Sequence, residues 1–341
     1  MSNRGLISLF CGAGGLDSGF SKEGFKTLLA LDHEQSAVNS FNANHPGEVA
    51  KKVDLSRYQT KKFLELIEEV AGKDARPVGL VGGPPCQGVS AGNNKSGPED
   101  PRNSLMGTYL RLVNEAYEAF DIDFFVFENV PGLLRSANET RLKSLKAGLA
   151  KNFHISLQEV NAKNFGVPQN RRRVLIIGLN KRHYKSADVP SLIGGKEIAT
   201  VKDAIGGLPE ATYFSRGLMP EAIPFHPNHW TMQPKSAKFK KEKSLVTGRS
   251  FQRLDWDKPS RTVAYGHREI HVHPSGHRRV SVLEAMLLQG FDQSYVLHGS
   301  LSKQIEQVSN AVPPPLAQQV AKAILAVLKE HPDGKRKKQL T

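Results

Sequence analysis

Leu6-Ile7-Ser8-Leu9-Phe10-Cys11-Gly12-Ala13-Gly14-Gly15 is the stretch whose reading decides the fold. A short β-rich run enters a turn holding three glycines within four positions, and a helix-compatible sequence follows. Glycines at a strand-to-helix turn let the backbone approach a ligand closely, and a helix start offers free N–H groups to negative charge. A tight turn alone would need the same glycines, so the neighbouring runs must decide. Seventeen residues after Gly15, a second β-rich run ends in Leu31-Asp32, where a carboxylate can accept hydrogen bonds from ribose hydroxyls. Asp54, in Val53-Asp54-Leu55, can accept from an adenine amino group. Three such features in series point to an adenosine-containing cofactor, either a dinucleotide or S-adenosylmethionine.

Working outward, β-rich runs at Leu6–Phe10, Thr27–Asp32, Val78–Val81, Asp123–Glu128, Ile155–Val160 and Val174–Leu179 alternate with helical patterning. Phe63, Leu64, Ile67 and Val70 recur at helical spacing, as do Leu105, Tyr109, Leu112, Ala116 and Phe120. The alternation predicts an α/β fold: a Rossmann-like, mostly parallel sheet with helices on both faces. Near residue 181 the rhythm stops, and until about residue 272 prolines, glycines and both tryptophans dominate. Helical patterning returns at Val282–Leu288 and Leu316–Leu328. The expected division is therefore residues 1–180 plus 273–341 as one domain and 181–272 as a second, smaller one. From Lys181 to Ser260, 14 Lys or Arg stand against 8 Asp or Glu, a net +6 that includes Lys235, Lys238, Lys240, Lys241 and Lys243. Basic side chains mixed with Trp230, Phe239 and Phe251 suit a nucleic-acid face, although the same aromatics would also serve as the small domain's own core.

The whole chain carries 47 Lys plus Arg against 33 Asp plus Glu, a net +14 with pI near 9.7. Such a balance favours a polyanionic partner through counterion release, but equally fits a basic soluble protein. The run Lys335–Lys338 reads as a solvated end. Two cysteines, Cys11 and Cys86, supply neither a disulfide framework nor a zinc pattern, so a reduced compartment and no metal are expected. Apolar runs such as Asp123–Val130 fall short of the roughly 18 residues of a membrane span, and the N-terminus lacks the regions of a signal peptide. A cytoplasmic location without membrane contact is the expectation.

The chemistry concentrates in Gly82-Gly83-Pro84-Pro85-Cys86-Gln87-Gly88, directly after the run Val78–Val81. Two prolines fix an extended loop, which would present Cys86 at the carboxyl end of the sheet, where open α/β folds bind ligands. The next run delivers Glu128-Asn129-Val130-Pro131 to the same edge. A thiol and a carboxyl group would then face one pocket.

Together, the Phe-x-Gly-x-Gly-Gly turn, Pro-Pro-Cys-Gln, Glu-Asn-Val, Gln169-Asn170-Arg171-Arg172-Arg173 and Gln307-Val308-Ser309-Asn310-Ala311-Val312-Pro313 stand in an order that resembles the cytosine-5 DNA methyltransferases of bacterial restriction-modification systems. The resemblance covers roughly residues 5 to 328 apart from the middle region. It implies S-adenosylmethionine as cofactor, S-adenosylhomocysteine as product, and contacts to it from Phe10, Gly12, Gly14, Gly15, Leu16, Asp32, His33, Asp54, Leu55 and Asn310. It also implies double-stranded DNA as partner, a monomer, a cognate restriction endonuclease as genetic partner, and residues 181–272 as a target-recognition domain.

Carbon 5 of cytosine is a poor nucleophile, so adding a thiolate at carbon 6 to make an enamine is a chemically sound route. Cys86 is the expected nucleophile and Glu128 the acid that donates toward ring N3. Arg171 and Arg173, one residue apart and so on one face of an extended segment, resemble the arginines that orient the base, its phosphate and the carboxylate; Arg172 would point away. Because the target carbon is stacked in a duplex, the base must be flipped out.

Departures from the family pattern are His33 where a larger aromatic is common, Val89 for phenylalanine, Leu283 for an arginine before Glu284, and Ser309 for glycine. The Leu283 change bears on packing between the two domains. Three other readings are methylation of RNA, a dinucleotide-dependent dehydrogenase, which leaves Pro-Pro-Cys-Gln and Glu-Asn-Val unexplained, and a catalytically silent DNA-binding protein, against which Cys86 argues.

Overall fold

The structure, a computed structural model, describes residues 4–85, 105–235, 251–263 and 269–330. Cys86, Gln87, Val89 and most of the lysine cluster, from Lys238 to Lys243, lie outside the described residues.

Strands β1 (Gly5–Leu9), β2 (Lys26–Asp32), β3 (Ala50–Lys52), β4 (Pro77–Gly82), β5 (Phe124–Asn129), β6 (Phe153–Asn161) and β7 (Arg172–Asn180) form a seven-stranded sheet in the order β3-β2-β1-β4-β5-β7-β6. The first five run parallel, as the alternation predicts. β7 runs antiparallel to both of its neighbours, a direction that no pattern of side chains announces. The β3 strand escaped the sequence reading because it is three residues long and carries exposed Lys51 and Lys52, as suits a charged sheet edge.

The helices are α1 (Gly15–Ser21), α2 (Gln35–Asn44), α3 (Thr60–Ala71), α4 (Leu105–Phe120), α5 (Glu139–Leu149), α6 (Val201–Ile205), α7 (Val282–Leu288), α8 (Leu301–Asn310) and α9 (Pro314–Glu330). β5 shows why they cover both faces. Phe124 and Val126 pack with Leu16, Phe20, Leu316, Val320 and Ile324 of α1 and α9. The alternate residues Phe125 and Phe127 pack on the other face with Phe63, Tyr109, Leu112 and Phe153. Burial of each such phenylalanine contributes about 1.5–3 kcal/mol, so the apolar run at the sheet centre holds both layers.

In the middle region, short strand pairs join Thr212–Tyr213 to Trp230–Thr231 and Gln252–Arg253 to His271–Val272. A third pair joins Ser260–Arg261 to Gln169–Asn170 at the entry to β7. One apolar cluster combines Val201, Ile205, Ile223, Trp230, Leu254 and Val263 with Val280, Met286, Leu288, Phe291 and Val308. Trp230 is therefore core, and its Nε1 donates to Gln304 Oε1 at 2.7 Å. Phe251 lies under the Arg279 guanidinium. Beside Leu283, which is itself buried, Arg278 donates to both oxygens of Glu284 at 2.8 Å, so this segment keeps a buried ion pair.

By length and composition, Leu301–Glu330 would suffice to cross a membrane. The sequence reading found helical patterning at Leu316–Leu328 within this stretch and expected no membrane span. The structure divides it into α8 and α9, whose apolar residues enter two core clusters.

The two helices on one face meet at Gly19, where a Cβ would lie 2.4 Å from Ala317 Cβ and 2.6 Å from Pro314 O. Gly19→Ala should destabilise the protein by about 1–3 kcal/mol through overpacking. That loss exceeds the gain of about 1 kcal/mol in helix propensity, and a lowered midpoint of urea unfolding checks it.

Candidate active site

Every residue singled out for chemistry or cofactor contact that the structure describes follows from what happens at the carboxyl edge of the sheet. After β1 the backbone turns through positive φ at Phe10 (54°), Gly12 (54°) and Gly14 (86°). Positive φ is costly for a phenylalanine, so strain sits at the turn itself. A Cβ on Gly12 would meet nothing within 4 Å, whereas one on Gly15 would lie 2.4 Å from Val312 O. The turn is thus open on one side and pressed against the chain after α8 on the other. Gly12 N and Glu34 N donate to the two oxygens of Asp32, both at 2.9 Å. A carboxylate has about four acceptor positions, so Asp32 keeps capacity for hydroxyl donors. His33 beside it is mostly exposed, with Nδ1 3.3 Å from Asp32 Oδ1.

Asp54 caps the turn after β3 by accepting from Ser56 N at 2.9 Å, and Leu55 is buried. Leu16 faces the sheet core. Asn310 is exposed at the end of α8, and the neighbouring Ala311 Cβ would lie 3.3 Å from a Cβ on Gly15. Cys11 is a free, buried thiol, and burial together with Asp32 and Asp17 raises its pKa well above the ordinary value. Such a thiol is unreactive, as a passive neighbour of the turn should be.

Glu128 and Asn129 end β5 at the same edge. Because β7 is antiparallel, it starts where β5 ends: Asn129 faces Val174 and Glu128 faces Leu175 in register. The strand direction therefore brings Arg173 to Glu128, with Nε 2.7 Å from Oε1 and both side chains buried. Arg171 is fully buried on the same side, while Arg172 is exposed and pairs with Glu159, so the expected alternation holds. The Arg171 Nη2 donates to Ser309 O at 2.7 Å and to Ala311 O at 2.9 Å. Its Nε and Nη1 have no hydrogen-bond partner among the described residues.

The loop after β4 lies against this pair. A Cβ on Gly83 would stand 2.8 Å from Glu128 Oε2, so any side chain there would have to displace the carboxyl group, and Asn129 Nδ2 donates to Pro84 O at 3.2 Å. Cys86 follows Pro85 and is outside the described residues. Sequence reading missed Asn129 as a clamp on this loop. It also missed Gln289, whose only signal is an amide after the apolar run Met286–Leu288.

Burial pushes the Glu128 carboxyl above the usual range, and the positive charges of Arg173 and Arg171 only partly offset this. The native state thus binds the Glu128 proton more tightly than the unfolded chain. The resulting stabilisation is present below the ordinary glutamate pKa and is lost as pH rises through the raised one. Glu128→Gln removes that dependence. Relative to the parent, the variant should gain stability between about pH 5 and about pH 8, read as the difference between urea melts at the two values.

With this geometry in place, comparison with known proteins is informative. Residues 5–326 match the family model for C-5 cytosine-specific DNA methylases. The type II methyltransferase M.MthTI of Methanothermobacter thermautotrophicus is 30% identical, covering 94% of this chain and 97% of that protein. The type II methyltransferase M1.HphI of Haemophilus parahaemolyticus is 33% identical, covering 94% and 86%. Among solved structures, a protein described as a prophage-encoded DNA modification methyltransferase (E. coli) superposes with a TM-score of 0.76 at 25% identity, covering 95% of this chain and 99% of that one. The S. pombe Dnmt2 methyltransferase shares the fold, with a TM-score of 0.63 at 16% identity over 96% and 98% of the two chains. None of these relatives supports the dehydrogenase reading. The chain belongs to the C-5 cytosine-specific DNA methylase family and is a DNA methyltransferase.

Proposed function

We propose that this enzyme methylates carbon 5 of a cytosine within a specific double-stranded DNA sequence, with Cys86 as nucleophile, Glu128 as acid, and Arg171 and Arg173 as the groups that orient base and acid. The observation that carries this reading is the buried Glu128–Arg173 pair pressed against Gly83 and Pro84, three and two residues before Cys86. Adjacent Cα atoms lie about 3.8 Å apart, so chain continuity supports a thiol within reach of a base held at Glu128.

The cofactor fits the other half of the edge. The open side at Gly12, the acceptor capacity of Asp32 and the positions of Phe10, Gly14, Gly15, His33, Asp54, Leu55 and Asn310 suit an adenosine with its ribose on Asp32, with Leu16 supporting the turn from beneath. S-adenosylmethionine, when bound, supplies an electrophilic methyl group and leaves as S-adenosylhomocysteine. In this reading the Cys86 thiolate adds to carbon 6 of the flipped base. Glu128, whose pKa burial raises, donates in its protonated form toward N3 as negative charge accumulates there, which makes carbon 5 nucleophilic. Loss of the carbon 5 proton then lets β-elimination release the Cys86 sulfur. Arg173 fixes the carboxyl group from one side. The two nitrogens of the buried Arg171 that have no partner among the described residues are suited to donate to a carbonyl or phosphate oxygen of the nucleotide.

Residues 181–272 serve as the target-recognition domain, and 1–180 with 273–341 as the catalytic domain. The enzyme acts as a monomer in the cytoplasm, without a metal, as the modification partner of a restriction endonuclease. Duplex DNA is favoured over RNA by the basic middle region.

Bisulfite sequencing of DNA from cells expressing the protein should show one methylated sequence context. Cys86→Ser should abolish the signal, and Glu128→Gln should slow purified enzyme by about 10²–10⁴-fold. Full methylation by Cys86→Ser would remove the mechanism.

A further inference from the structure

Gln169 and Gln289 are both fully buried, yet every polar atom of the two amides is used. Gln289, the cap after α7, donates through Nε2 to Val308 O at 2.9 Å and Ala311 O at 2.6 Å. Its Oε1 accepts from Gln169 Nε2 at 3.0 Å. Gln169 in turn donates to Leu288 O at 3.2 Å and accepts from Val263 N at 3.2 Å. Ala311 O is shared, because Arg171 Nη2 also donates to it.

The last carbonyls of a helix lack intrahelical donors, so they take whatever donors the surroundings provide. At the end of α8 the donors are two side chains, Gln289 and Arg171. One short turn therefore touches three things. Arg171 lies on it, the cofactor turn presses on it at Val312 O, and Gln169 links it to Val263, where the middle region re-enters beside Gln169–Asn170.

We propose that Gln289 is a positioning residue for methyl transfer: it fixes the Ser309–Ala311 turn that holds Arg171, and through Gln169 it ties that turn to the seating of the middle region at Val263. The proposal rests on the assignment of Arg171 and Glu128 to the base-binding site. Without the amide, the turn loses one of its two side-chain donors among the described residues, and Arg171 is held less firmly beside Glu128. The charged groups acting on Glu128 among the described residues are Arg173 and Arg171, and both lower its pKa against the effect of burial. Loss of Arg171 from its place moves that pKa upward. Because Glu128 works protonated, activity falls as pH rises through its pKa, so the alkaline limb of the kcat profile moves to higher pH.

Gln289→Met, which keeps volume but removes the donors and the acceptor, tests this in the full-length enzyme with duplex DNA and S-adenosylmethionine. Expected are a fall in kcat of roughly tenfold and an alkaline limb displaced upward by about 0.5 pH unit or more. Adding Gln169→Leu should cost little further, because residues acting in one chain are non-additive. A purely structural role would lower the amount of folded enzyme and leave the limb in place. If Gln289→Met does not fold, Gln289→Asn, which keeps a neutral amide but withdraws it from Val308 O and Ala311 O, carries the same measurement. An unmoved limb in the folded variant, or fully additive losses in the double variant, overturns the proposal. A parent enzyme without methyl transfer would instead reject the underlying site assignment.

Discussion

The buried ion pair between Glu128 and Arg173 is the interaction on which the rest of the site depends. A carboxyl group buried at the end of a strand carries a desolvation cost that must be met by proton or partner; here burial raises its pKa and Arg173 supplies the partner. The partner is available only because β7 runs against β5. Had the last strand been parallel, the arginines preceding it would have emerged at the opposite edge of the sheet, about 17–20 Å away for strands of ordinary length. The antiparallel β6–β7 pair is thus the means by which a mostly parallel sheet brings two guanidinium groups to its carboxyl edge.

The same edge gathers the cofactor turn, and the reason is again topological. In an open α/β sheet, successive parallel strands end on one side, and their following loops meet there. Gly12, Asp32, Gly83 and Glu128 each stand within three residues of the nearest parallel strand or inside it. Their roles differ with environment. Cys11, one residue from Gly12, is buried and its thiol is pushed up, which suits a spectator. Gly83 is pressed so closely on Glu128 that the loop toward Cys86 cannot drift from the carboxyl group without giving up the Asn129 clamp.

Much of this was legible before any coordinates. The β-rich runs marked six of the seven sheet strands, because strands buried on both faces read as apolar runs of limited length. Spacing alone put Arg171 and Arg173 on one face and Arg172 outward. Strand direction was not legible, since an apolar run reads alike in either sense. Nor was the fate of Trp230, which sits in a basic stretch yet packs as core, because burial depends on what α8 places against it. Gln289 was invisible for a related reason: a buried amide declares itself only through carbonyls about 20 residues away in sequence. The family resemblance supplied what physics could not, namely which carboxyl and which thiol are proposed to meet a cytosine.

Covalent trapping tests the central claim most directly. When the target duplex carries 5-fluorocytosine at the methylated position, no proton can leave carbon 5, so β-elimination is blocked. In the presence of S-adenosylmethionine the enzyme should become attached to that DNA through the sulfur of Cys86, giving a denaturation-resistant complex that peptide mapping assigns to this residue. Methylation of the fluorinated cytosine with no attachment, or attachment through another side chain, would contradict the thiolate mechanism built around Glu128.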